Sequence, residues 1–65
     1  MTSKDYRATL DALGLSQARL GRLLETDKST PSRWATGAVP VPRSVALLLR
    51  LMERGAMTIE DLEAL

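Results

Sequence analysis

Residues 17–37, QARLGRLLETDKSTPSRWATG, constrain the fold more than any other stretch of the chain. Read at about 100° per residue, they give two short helices joined by a tight turn. The first runs from Gln17 to Leu24, with Leu20, Leu23 and Leu24 inward and Arg19 and Arg22 outward. The second runs from Lys28 to Thr36 and gathers Lys28, Ser29, Ser32, Arg33 and Thr36 into one arc of roughly 140°. Every residue in that arc is polar. Thr30, Pro31 and Trp34 fall on the opposite side. A short helix with an unbroken hydrogen-bonding face and two cations can read base edges in a DNA major groove. Trp34 could stack on a base, but it faces the leucine stripe and reads as core.

The turn, Glu25-Thr26-Asp27, carries its own signals. Asp27 is placed to cap the helix that follows, its carboxylate accepting from the N–H of Ser29 or Thr30. Pro31 falls at the fourth predicted helical position. There its missing N–H would have bonded the Asp27 carbonyl, so a late or distorted helix start is expected. Gly21 costs roughly 1 kcal/mol in helix propensity relative to Ala. Its expected use is steric, to let the two helices approach closely where they cross.

The same residues resemble the helix-turn-helix of the phage Cro and repressor family, the XRE type. The matching features are Ser16-Gln17 at the start of the first helix, Leu20, Gly21, Leu24, Lys28-Ser29-Thr30, Ser32-Arg33-Trp34 and Gly37, with Pro42-Arg43 starting the next helix. Flanking helices included, the resemblance spans roughly Lys4 to Leu51. Glu25 departs from it, standing in the turn where the family usually has Gly. Pro31 departs too, standing where a branched apolar residue usually plugs the core. The resemblance implies an all-α fold, a compact bundle of four to five short helices of the lambda-repressor-like kind. It also implies that Gln17 meets the DNA backbone, that Lys28, Ser29 and Arg33 sit at base-reading positions, and that Arg43 contacts a phosphate.

Sixty-five residues make one domain at most. A chain of this size buries only about 60% of its unfolded surface, so stability should be modest. The chain has no Cys and no His, which removes disulfides, thiolate metal sites, the commonest general base and the other main zinc ligand. Phe is absent, and there is one Trp and one Tyr, so Leu, Ala, Val and Met must fill the core. Net charge is +1, but its distribution is uneven. Residues 17–50 carry six cations against two anions, and residues 51–65 carry one cation against four anions. A basic groove-facing side with an acidic solvent- or partner-facing side fits this pattern, and so does an ordinary mixed surface.

The start, MTSKDYRATL, has no apolar run like the core of a signal peptide, and the longest apolar run, Val45–Leu49, is too short to span a bilayer. A soluble, cytoplasmic protein is expected. Thr2 or Ser3 can cap a first helix reaching about Leu13, with Tyr6, Leu10 and Leu13 as its apolar stripe and Gly14 as its terminator. Ser16 caps the second helix. After Gly37, Pro40 and Pro42 stiffen a connector, and Pro42 suits the first position of a fourth helix ending near Arg54. Val45, Leu48, Leu49 and Met52 form that helix's buried stripe. Thr58 and Asp61 can cap a last short helix reciprocally. Its stripe, Ile59, Leu62 and Leu65, either folds back on the first helix to close the core or forms a dimer contact with Met57, and both can hold at once.

The leading functional expectation is sequence-specific binding of double-stranded DNA. The site residues are Gln17, Lys28, Ser29, Ser32, Arg33, Thr36 and Arg43, with Met57, Ile59 and Leu62 as dimer contacts. Arg33 can pair bidentately with guanine, and Lys28 can do likewise or take a phosphate. One such domain offers too few phosphate-facing groups for tight binding alone. Family members mostly bind as two-fold dimers on inverted half-sites. That implies a homodimer, and most simply a small repressor acting on its own promoter. The alternative is a protein-binding module such as an antitoxin, holding a partner through the tail 57–65. No catalytic constellation is present, and no cofactor, metal, membrane or small-molecule ligand is expected.

Overall fold

The computed structural model describes all residues, Met1–Leu65, and shows five helices and no strand. Short polar side chains fix most of the helix starts. Thr2 caps α1 (Ser3–Leu13) by accepting from the Asp5 N–H at 3.1 Å. Ser16 caps α2 (Gln17–Leu23) by accepting from the Arg19 N–H at 3.1 Å. Thr58 and Asp61 form the expected reciprocal cap on α5 (Ile59–Glu63), with bonds of 3.1 and 2.9 Å. In α4 (Arg43–Glu53) the helix begins one residue later than predicted, because Pro42 keeps an extended ψ of 146° and stands just outside it.

The third helix, α3 (Ser29–Thr36), also begins one residue late. This is the late start expected from Pro31, and it spares the helix the bond that the proline would otherwise remove. The proline lies in the first turn, where an N–H has no partner within the helix. The Thr30 N–H takes the Asp27 carbonyl instead, at 3.2 Å. Asp27 still caps, from one position further back: its Oδ1 accepts from the Ser29 N–H at 2.9 Å and from the Ser29 hydroxyl at 3.1 Å.

The core is assembled from all of the first four helices. Tyr6 and Leu10 of α1, Leu20 of α2, Trp34 and Ala35 of α3, and Val45, Leu49 and Met52 of α4 are buried together with Leu15 of the first turn. Trp34 is therefore core, and its ring meets that of Tyr6 edge to face, centroids 6.0 Å apart at 88°. An aromatic pair in this geometry contributes about 0.5–1.5 kcal/mol beyond its buried area. Pro31 is also fully buried and fills the place of an apolar plug, and the Tyr6 hydroxyl donates to its carbonyl at 3.1 Å. These contacts seat α3 on α1, and α2 packs against α3.

The tail folds back, but beside α2. Arg19 of α2 pairs with Glu63 of α5, while Met57, Ile59 and Leu62 pack half-buried against the core. Leu65, the last residue of the tail's apolar stripe, stays fully exposed. No helix is long and apolar enough to cross a membrane.

Candidate nucleic-acid interface

Amphipathic division of α3 creates the candidate surface. Burial of Pro31, Trp34 and Ala35 on one side turns Lys28, Ser32, Arg33 and Thr36 to solvent on the other, with Ser29 half-buried at the edge. At about 1.5 Å per residue the eight residues of α3 span roughly 12 Å, close to the width of a B-DNA major groove.

The polar groups of this face are not equally available. Lys28 and Arg33 are exposed, and neither forms an ion pair with a carboxylate. The Ser29 hydroxyl is spent on Asp27. The Thr36 hydroxyl donates to the Arg33 carbonyl at 3.2 Å and accepts from the Ala38 N–H at 3.4 Å, so it finishes the helix end as well as facing outward. Asp27 places a carboxylate beside this face, close enough for its charge to act with that of Arg33. The Ser29 N–H and hydroxyl bonds hold it ionised below its ordinary pKa, with the charge of Arg33 acting in the same direction.

Gln17 and Lys28 come together across the α2–α3 junction. They line an open cleft of about 510 Å³ whose other walls are Ala18, Gly21, Arg22 and Thr26. Two cations and a carboxamide around one cleft suit the oxygens of an anion such as a phosphate, while the Thr26 hydroxyl is turned to the Gly21 and Asp27 carbonyls at 3.4 and 3.3 Å. Arg22 and Thr26 were not among the residues singled out from sequence. The helical spacing could have found Arg22, since Ala18 and Arg22 stand four apart, as do Gln17 and Gly21 beside them. Gly21 forms part of the wall between these pairs. Arg43 lies outside it, exposed in the first turn of α4.

Of the residues expected at a dimer contact, Met57, Ile59 and Leu62 are each half-covered by the protein's own core. The large apolar side chains with the most free surface are others: Val39, Leu47, Leu51 and Leu65. No family model matches the chain, and no curated protein or solved structure does either.

Proposed function

We propose that this protein is a sequence-specific regulator that binds double-stranded DNA, of the Cro and repressor type that its sequence resembles. It lays α3 in the major groove and acts most simply as a small homodimeric repressor in a bacterial or phage-infected cytoplasm. The observation that carries this reading is the two-sidedness of α3: Lys28, Ser32, Arg33 and Thr36 face outward, with Ser29 at the edge, on a helix whose other side is anchored by Pro31, Trp34 and Ala35.

In this reading Arg33 and Lys28 reach base edges and Ser32 assists them. Gln17 and Arg22, around the cleft at the foot of α3, hold the sugar-phosphate backbone and set the register. Arg43 adds a further phosphate contact from the next helix. Two copies related by a two-fold axis would read an inverted repeat with half-sites about one helical turn apart.

The test is selection from a random duplex pool with purified protein at near-physiological salt. Enrichment of an inverted repeat at that spacing is the expected result. Recovery of no motif, with binding that disappears as salt rises, would leave only non-specific attraction and reject the proposal.

A further inference from the structure

The outer face of α4 is a second surface with a chemistry of its own. At about 100° per residue, Arg50, Arg43, Arg54, Leu47, Leu51 and Ser44 fall in that order within one arc of roughly 120°. All six are exposed, while Val45, Leu49 and Met52 on the far side are buried. Leu47 keeps 50% of its surface and Leu51 keeps 40%, side by side at a spacing of one turn. Three guanidiniums flank them and no carboxylate lies on the arc. Glu53, the only anion of the helix, stands off to the side and pairs with Arg50 at 2.8 Å. Arg43 and Arg54 have no ionic partner.

We infer that this face docks an acidic amphipathic helix of another protein, one with apolar residues three and four apart and carboxylates along their flanks. Leucines supply the apolar contact and the arginines recognise carboxylates, the pairing that helix-to-helix recognition combines. From Arg43 to Arg54 the face runs roughly 16 Å, a match for about three turns of a partner helix.

Other occupants fit the surface less well. A second copy applying the same face would set arginines against arginines with no acid to separate them. The chain's own acidic tail is already engaged, with Glu63 on Arg19, Asp61 in its cap and Ile59 and Leu62 against the core. Phosphates give no place to two leucines. Two leucines without an aromatic neighbour bury too little to hold a bilayer surface.

The inference does not depend on DNA recognition by α3. Its test is titration of the isotopically labelled full chain, followed by NMR, with a synthetic helical peptide. The peptide carries leucines three and four residues apart, flanked by glutamates, and the control replaces every glutamate with lysine. Shifts confined to Arg43, Ser44, Leu47, Arg50, Leu51 and Arg54, seen with the acidic peptide only, are expected. Leu51→Gln and Arg54→Glu should each weaken the binding about tenfold, about 1.4 kcal/mol. Both positions are exposed, so melting temperature and the DNA motif selected should stay as in the parent. Equal binding of the lysine peptide, shifts centred elsewhere or no shifts at saturating peptide would overturn the inference. So would loss of self-association in Leu47→Gln by sedimentation, which would make the occupant a second copy. Loss of anionic-vesicle binding in Leu51→Gln would likewise make it a membrane.

Discussion

Gly21 and Pro31 are fitted to each other: a Cβ on Gly21 would stand 3.2 Å from the Pro31 Cγ. That is tighter than ordinary contact, and the ring it meets is rigid and fully buried. The glycine lets α2 lie close against the first turn of α3, and the proline fills the gap that results. Substitution at Gly21 thus pits helix propensity against steric overlap. Alanine gains about 1 kcal/mol of propensity, while overpacking beside a group that cannot rotate away costs about 1–3 kcal/mol. Gly21→Ala is expected to be destabilising by about 1 kcal/mol net in urea unfolding. The double variant Gly21→Ala with Pro31→Ala should lose less than the two single losses added, because each change relieves the other. Strict additivity would show that the contact has no energetic weight.

Glu25 occupies a position built for glycine. Its φ is 55°, and it is the only residue other than glycine with positive φ. It ends α2 as Gly14 ends α1 and Gly55 ends α4. In each ending the residue's own N–H bonds a carbonyl three back, and the next N–H bonds a carbonyl five back: Arg22 and Gly21 here, Asp11 and Leu10, Met52 and Leu51 there. A side chain in this conformation costs about 1–2 kcal/mol. Glu25→Gly should therefore raise stability by about 0.5–1 kcal/mol, after allowance for the freer unfolded chain. A fall in melting temperature would mean that the glutamate side chain has an offsetting role.

Acid should loosen the start of α3 before the rest of the fold. The Asp27 carboxyl is held below its ordinary pKa by Ser29, so the unfolded state takes up its proton first as pH falls. The stabilising contribution is fully present above the ordinary carboxylate value. It disappears as pH drops below about 4 and through the lower folded value. An NMR titration should show the Ser29 amide moving with the Asp27 carboxyl, at a midpoint below that of a free aspartate. Asp27→Asn should abolish the transition, and an unchanged transition would assign it to another group.

Under the DNA-binding proposal, Arg33 and Gln17 should fail differently. Arg33→Ala should cost about 1–3 kcal/mol on the selected site and relax preference at one base pair. Gln17→Ala should weaken selected and scrambled duplexes alike, since it faces the backbone. Equal losses on both duplexes for Arg33→Ala would remove it from base reading.

Local chemistry was legible in the sequence. Ser16, Thr58 with Asp61, and the inward turn of Trp34 could be read because a cap or a helical face is decided within a few residues. What lay beyond reach joins distant segments. The Arg19–Glu63 pair spans forty-four residues and settles the tail beside α2, which no periodicity states. Leu15, buried in the turn between two helices, belongs to no stripe at all. The late start of α3 was legible from Pro31, but its cost was not: a one-residue difference in where α3 begins decides whether the missing N–H matters. Within the candidate site, the outward arc of α3 followed from the sequence, whereas the cleft joining Gln17 and Lys28 to Arg22 and Thr26 required the crossing of two helices.

The two faces of α3 also separate what the protein is from what it recognises. Pro31, Trp34 and Ala35 are locked to Tyr6 and the remaining core, so their replacement disturbs the packing of α3 on its neighbours. Lys28, Ser32 and Arg33 touch little of the protein itself. A lineage can therefore exchange those outward side chains freely, and a new recognition preference can arise on an unaltered scaffold by a handful of codon changes.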